Sequence, residues 1–247
     1  MTVDASIRVR TSDDVAAAVK DAAQHRAPLR IVGRGHWLDA GPPALAATPL
    51  ALDALSGIVA YTPGDLTLTA RAGTTLAEIA AVTAEHGQWL ALDPFGTDDG
   101  TIGATVATAS SGPLAHAFGT PRDAVLGLEV VTGEGTIIRT GGRVVKNVAG
   151  FDLTRLFTGS WGTLGVITEV TVRLRARPEG DETWAIAVDD DDALGAVCRA
   201  ARTAPVAALA FEALDAALVS RLGLGGRTTV VVRLAAAAAS LRAQRDA

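Results

Sequence analysis

Hydrophobic spacing along the chain first reads as strand, helix, strand. Ser6–Arg10 is short and mixed; Thr11 and Asp14 then stand at capping-box spacing, and Val15, Val19 and Ala22 recur at helical intervals to about Arg26. Pro28 introduces the apolar run Leu29–Val32, a strand that ends in Gly33-Arg34-Gly35-His36-Trp37 and then Leu38-Asp39-Ala40-Gly41-Pro42-Pro43. A buried strand running into a glycine loop marks the end of an α/β sheet where ligands bind.

From Ile58 the period becomes two. Ile58–Tyr61, a Pro63-Gly64 turn and the alternating Leu66–Arg71 predict antiparallel, half-buried strands. Thr75 and Glu78 cap a helix carrying Leu76, Ile79 and Val82 on one face, with Gly87 as its stop. Ala124–Val131, the Gly133-Glu134-Gly135 turn and Thr136–Thr140 form a hairpin, and Val166–Leu174 alternates again. After Arg177–Asp181 the pattern resets. A strand over Thr183–Val188, a helix from Asp189–Asp192 to about Arg202, a weaker helix near Phe211–Leu222, a strand over Thr228–Leu234 and an alanine-rich end follow. This order predicts the beginning of a small α+β layer, with nothing to pack behind its last strand and helix.

The 247 residues are 49% hydrophobic, enough for a substantial core. Lys and Arg number 22 against 27 Asp and Glu, a net charge of −5, which argues against nucleic acid or anionic lipid as the partner. One cysteine, Cys198, can form neither an internal disulfide nor a thiolate cage, so no metal is expected and a reducing compartment is. The start lacks a basic stretch followed by an apolar one, and no run approaches the roughly 20 apolar residues of a membrane span. A cytoplasmic protein is expected, peripheral to the inner membrane at most.

Aromatic residues make up only 4%, whereas glycines number 26, and their placement carries the chemistry. Three clusters stand out: Gly33–Gly35; Gly100-Thr101-Ile102-Gly103-Ala104 continuing to Ser110-Ser111-Gly112; and Gly159-Ser160-Trp161-Gly162-Thr163-Leu164-Gly165-Val166. Such loops expose successive backbone N–H groups and can hold an anion without a basic side chain, which suits an acidic protein binding a pyrophosphate. The nicotinamide fingerprint fails, because His36, Trp37 and Leu38 follow Gly35 where a third glycine is needed. Neither G-x-x-x-x-G-K-[ST] nor G-x-S-x-G is present, and His25, His36, His86 and His116 form no H-E-x-x-H pair.

Arg30–His36, Asp99–Ala107, Gly119–Leu128, Lys146–Leu156 and Gly162–Glu169, taken in order, resemble the FAD-binding domain of the vanillyl-alcohol oxidase and p-cresol methylhydroxylase superfamily. The stretch Lys146-Asn147-Val148-Ala149-Gly150-Phe151-Asp152-Leu153 is most similar to the FAD-binding subunit of bacterial glycolate oxidase. The resemblance covers residues 1–177 and implies an α+β fold of the p-cresol methylhydroxylase type. An N-terminal α/β subdomain (1–56) and an antiparallel-sheet subdomain (57–177) would be followed by a short, incomplete α+β cap (178–247).

By position, the resemblance implies that Val32, Gly33, Arg34, Gly35, His36 and Trp37 wrap the pyrophosphate. Pro94, Gly100, Thr101, Ile102, Gly103, Ala104, Ser110, Ser111 and Gly112 would line the flavin and ribityl side, and Gly165, Val166 and Ile167 would close the cofactor. FAD is expected to be held non-covalently, with a tether through His36 as the alternative. Arg34 reads equally as a phosphate partner or a solvated loop residue, and His116 as a flavin neighbour or an ordinary loop histidine. Trp161 reads as packing, Asp152 as a helix cap, and Lys146 as a surface or partner-facing charge.

The implied function is an FAD-dependent oxidoreductase subunit of a glycolate or D-2-hydroxy-acid dehydrogenase. A catalytic flavoprotein chain and an iron–sulfur subunit would be its partners, since one cysteine cannot hold a cluster. The region from Pro178 onward is short, alanine-rich and lacks histidine, so no catalytic residue is assigned and 247 residues read as part of an enzyme. The alternative is a non-catalytic FAD-binding structural subunit or truncated paralogue.

Overall fold

A computed structural model describes residues 6–40, 47–142 and 151–245. Lys146, Asn147 and Gly150, with Gly41, Pro42 and Pro43, lie outside the described residues. The chain divides into two compact units, Met1–Ser111 with Thr120–Ala176, and Gly112–Gly119 with Arg177–Ala247.

The first unit opens with β1 (Ile7–Arg8), α1 (Ser12–His25), β2 (Leu29–Val32) and β3 (Thr48–Ala51). Thr11 caps α1: its Oγ1 accepts from the Asp14 N–H at 3.1 Å, while Asp14 accepts from the Thr11 N–H at 2.9 Å. Val15, Ala16, Val19 and Ala22 form the buried stripe of α1. The strands make a parallel sheet in the order β1-β3-β2.

Strand β3, which the sequence reading did not assign, carries Pro49 in its interior, a residue that cannot donate to a ladder. The geometry explains its tolerance. Thr48 and Leu52 donate to Pro28 and Val32 at 2.9 and 2.8 Å, so the even positions of β3 serve β2. Pro49 faces the other side, where β1 reaches only Leu50 and Ala51, and its missing N–H costs no ladder bond.

Next come β4 (Ile58–Thr62), β5 (Thr67–Arg71), α2 (Leu76–Ala84), β6 (Gln88–Trp89), α3 (Ile102–Thr108), α4 (Ala115–Phe118) and α5 (Pro121–Ala124). β7 (Val125–Thr132), β8 (Ile137–Gly141), α6 (Leu153–Phe157), β9 (Gly165–Arg173) and β10 (Arg175–Ala176) complete the unit, α4 excepted. Five strands form an antiparallel sheet in the order β4-β5-β9-β7-β8. Gly135, at φ 71°, makes the β7–β8 turn and donates to Thr132 at 2.8 Å. Asp152 caps α6 through the Arg155 N–H at 3.0 Å. Gly165–Thr168 of the central strand β9 are all buried, so both faces of the sheet are covered there. Leu50, Leu68, Ile79, Ile102, Val130 and Val170 are fully enclosed, each contributing about 1.5–3 kcal/mol by leaving water.

The second unit contains α4, β11 (Gly180–Ala187), α7 (Asp191–Thr203), β12 (Ala208–Leu214), α8 (Ala216–Arg221), β13 (Thr229–Ala236) and α9 (Ala238–Arg245). Its antiparallel sheet runs β11-β13-β12. The helix expected near Phe211–Leu222 is half strand: Phe211–Leu214 belong to β12, and α8 begins only after Asp215, whose carboxylate caps it through the Leu218 N–H at 2.7 Å. The final strand and helix are not unsupported. β13 is the centre of the sheet, and α9 packs on it through buried Leu241, which leaves no room for a side chain at Gly180.

Candidate cofactor cleft

Strand β2 delivers the chain into the mouth of a cleft of about 500 Å³ within the first unit. Its wall is the loop Gly33–Trp37, its floor the N-terminal half of α3 with Ala72, and its far side Trp161–Thr163, Gly165 and Ile167. Gly33 is required for closeness: a Cβ there would stand 2.7 Å from Thr101 Oγ1, the cap of α3. Gly35 takes φ 88° to turn the loop. The backbone N–H groups of Gly33, Arg34, Gly35, His36 and Trp37 donate to no acceptor among the described residues. Five successive N–H groups without an acceptor among the described residues, in a loop that lines the cleft, are available to an anion.

The other two clusters do not present such donors. Gly100–Ala104 was expected to be an open loop, but Ile102 begins a helix whose first N–H groups are spent inside the protein. Ile102 donates to Thr74 and Gly103 to Ala72, each at 2.9 Å, and Ala104 donates to Thr101 Oγ1 at 3.3 Å. Gly103 is there for packing: a Cβ would meet Ala72 Cβ at 2.6 Å and Ala72 O at 2.8 Å. In the third cluster, Gly159, Trp161 and Thr163 donate to Val106, Ala107 and Ser160 at 3.0, 2.8 and 3.0 Å.

Charge gathers on one edge. Asp99 Oδ2 lies 3.3 Å from His36 Nε2 and 3.9 Å from Arg34 Nε, while the Thr97 hydroxyl donates to its other oxygen. The Thr97 hydrogen bond is the main cause holding the Asp99 carboxyl below the ordinary carboxylate range; desolvation opposes it, and the charges of His36 and Arg34 reinforce it. The Arg30 guanidinium donates to the Leu38 carbonyl and braces the end of the loop.

Of the residues nominated from sequence, Val32, Gly33, Arg34, Gly35, His36, Trp37, Pro94, Gly100, Thr101, Gly103, Ala104, Gly165 and Ile167 share this cleft. Ile102 and Val166 sit in the core instead, 0% and 4% exposed. Ser110 does not line the cleft, but its hydroxyl accepts from the Phe95 N–H at 2.9 Å and so fixes the Pro94-Phe95 turn. Ser111 does not line it, and Gly112 and His116 belong to the second unit. Sequence reasoning passed over Arg30, Phe95, Thr97, Thr105, Thr108 and the cleft position of Trp161. Thr101, Ala104, Thr105 and Thr108 follow helical spacing, a signal hidden by reading the segment as a loop.

The donors, the close approach allowed by glycine and the nearby guanidinium fit a pyrophosphate. A parallel three-stranded layer beside a five-stranded antiparallel sheet, with this cleft, is the architecture of an FAD-binding domain. The chain belongs to that family: the family described as FAD binding domain matches residues 3–141.

Among curated proteins, the chain is 34% identical over 213 residues to the glycolate oxidase subunit GlcD of Bacillus subtilis (strain 168), covering 86% of this chain and 45% of that protein. It is 41% identical over 162 residues to the glycolate oxidase subunit GlcE of Escherichia coli (strain K12), covering 65% and 46%. It is also 32% identical over 208 residues to a D-lactate dehydrogenase of Archaeoglobus fulgidus, covering 83% and 46%. The chain thus spans less than half the length of these relatives. A solved alkyldihydroxyacetonephosphate synthase superposes with TM-score 0.80 over 97% of this chain and 49% of its own, at 16% identity, a likeness of fold. Among the described residues, no helix is long and apolar enough to cross a membrane.

Proposed function

We propose that the chain is the FAD-binding part of an oxidoreductase acting on glycolate, D-lactate or a related small 2-hydroxy acid. The N–H groups of Gly33–Trp37, without acceptors among the described residues, carry this reading, since they could serve as a pyrophosphate cradle in a member of the FAD binding domain family. Bound FAD would supply the acceptor for the two electrons leaving the substrate carbon.

The residues of the chain bind and orient. Gly33–Trp37 hold phosphate oxygens; Arg34 adds positive charge at the rim; Gly103, Ala104 and Ala72 offer a floor on which a ring system can lie close. Gly165 and Ile167 close the far side. On this reading residues 1–177 are the cofactor domain, although Gly112–Gly119 and Arg177 group with the second unit, and 178–247 a partial cap. The base and carboxylate clamp for the substrate come from a catalytic flavoprotein chain, and electrons leave through an iron–sulfur subunit of the same complex. The glycolate oxidase subunit names of two relatives support membership of such a complex, which would be cytoplasmic and peripheral to the inner membrane.

The test is direct. Purified protein reconstituted with FAD should retain flavin through gel filtration, and that flavin should bleach on adding glycolate or D-lactate when the partner chains are present. Retention without bleaching in the assembled complex would favour a structural FAD-binding subunit. A protein that takes up no FAD overturns both.

A further inference from the structure

Trp161 occupies the left-handed region at φ 55°, between Gly159 at 78° and Gly162 at 74°. A bulky residue rarely adopts this conformation, and it persists only where the surroundings impose it. Here they do. The Trp161 N–H donates to Ala107 on α3 at 2.8 Å and the Gly159 N–H to Val106 at 3.0 Å, so the turn is stitched to the helix by its backbone.

The side chain gains little from this. Trp161 is 50% exposed, so burial does not account for a tryptophan at a strained position. Its ring meets Trp37 edge-on, with centroids 5.5 Å apart and planes at 88°. Trp37 in turn lies 5.8 Å from the Phe95 ring at 57°, and Phe95 is 76% exposed. All three rings line the cleft, in a chain where aromatic residues are only 4% of the total. The perpendicular contact with Trp37 steadies the indole, and the exposed half of its surface is open to a partner in the cleft; offset stacking is an arrangement aromatic rings favour.

We propose that Trp161, steadied by Trp37 and flanked by Phe95, is a stacking platform for a planar heteroaromatic ring of the bound dinucleotide. This rests on the FAD reading above. Adenine and isoalloxazine share the required chemistry, a flat ring with a π-face, and separate probes distinguish them.

The experiment titrates FAD, ADP and FMN into apo-protein carrying Trp161→Gly, Trp161→Phe or Trp161→Leu, alongside the wild type, and records the thermal midpoint of each apo form. Trp161→Gly should weaken FAD about tenfold, the order of one lost stacked ring. Its apo midpoint should not fall, because glycine accepts the left-handed backbone. Trp161→Phe should bind FAD nearly as the wild type does, and Trp161→Leu should bind like the glycine variant. A loss confined to ADP places adenine on the platform, and one confined to FMN places the isoalloxazine there. Equal binding of all three ligands by Trp161→Gly overturns the proposal. So does recovery of full affinity with leucine, which fills space without an aromatic face. Failure of the wild type to bind any of the three refutes the FAD reading itself.

Discussion

Asp99 Oδ2 stands 3.3 Å from His36 Nε2, joining the loop before α3 to the loop after β2. A carboxylate at the rim of an anion cradle has two opposed effects. It orders His36 and Arg34, and it repels the anion that the cradle would hold. Because the Thr97 hydrogen bond above all, with Arg34 and His36 beside it, keeps Asp99 below the ordinary carboxylate range, it is ionised throughout the neutral range, and the repulsion is always present.

The two effects separate on substitution. Asp99→Asn keeps one oxygen, for the Thr97 hydroxyl, and sets an amide NH2 opposite His36 while removing the charge, so FAD should bind about two- to threefold more tightly, the scale of one exposed charge interaction. Asp99→Ala removes the anchor as well and should bind more weakly than Asp99→Asn. Isothermal titration of both variants decides this. Equal affinities would show that Asp99 does not order the loop.

Glu129 is buried on β7 at 5% exposure, and its carboxylate accepts from Ser12 Oγ at 2.5 Å, Thr168 Oγ1 at 3.0 Å and Arg139 Nη2 at 2.6 Å. Burial alone would raise this carboxyl, but those hydrogen bonds outweigh it and hold the group below its ordinary value. A depressed acid contributes stability above its unfolded pKa and loses it as pH falls through the folded one. Glu129→Ala should therefore cost about 2–3 kcal/mol at neutral pH, as a hydrogen-bonded buried charge is lost, and proportionately less in acid. Urea denaturation across the acidic range measures both.

Directly across the ladder from Glu129 stands Glu169, with the opposite shift: desolvation first, and then the charge of Glu129, raise its carboxyl. Its ionisation therefore opposes folding, and that cost is present above the raised pKa and absent below the ordinary one. Glu169→Gln should stabilise the protein at neutral pH by about 0.5 kcal/mol after solvent screening, and by nothing in acid. A thermal midpoint that rises equally at both pH values would contradict an origin in the ionisation of Glu169.

Much of this frame was legible because it rests on local signals. The capping boxes at Thr11 and Thr75, the period-two runs on either side of Pro63 and the Gly133–Gly135 turn each depend on residues a few positions apart. The glycine turn after β2 was legible for the same reason. What escaped depends on distant partners. α3 read as a loop because its glycines obscured the Thr101 cap, and Gly103 is explained by Ala72, which sequence spacing does not bring near. The run at Phe211–Leu214 is short and apolar enough to serve either period, and only pairing with β13 decides it. The contact of Trp161 with Trp37 likewise joins residues far apart in the chain.

Gly33 and Gly103 share one cleft but serve it differently, and this yields a last prediction. At Gly103 an added Cβ meets backbone and Cβ of Ala72 at 2.6–3.0 Å, on a floor where α3 and the end of β5 are fixed by a hydrogen bond. Neither side can give way cheaply, so Gly103→Ala should cost about 1–3 kcal/mol of stability, and a branched residue should prevent folding rather than merely exclude FAD. At Gly33 the nearest atom is Thr101 Oγ1 at 2.7 Å, the tip of a side chain that can rotate. Gly33→Ala therefore threatens only the Thr101 cap, worth about 1 kcal/mol, but it displaces the loop whose N–H groups form the cradle. Thermal denaturation and FAD titration together should separate the pair: Gly33→Ala folded with weakened FAD, Gly103→Ala destabilised before any ligand is added. If Gly33→Ala binds FAD as well as the wild type does, the cradle does not hold the pyrophosphate.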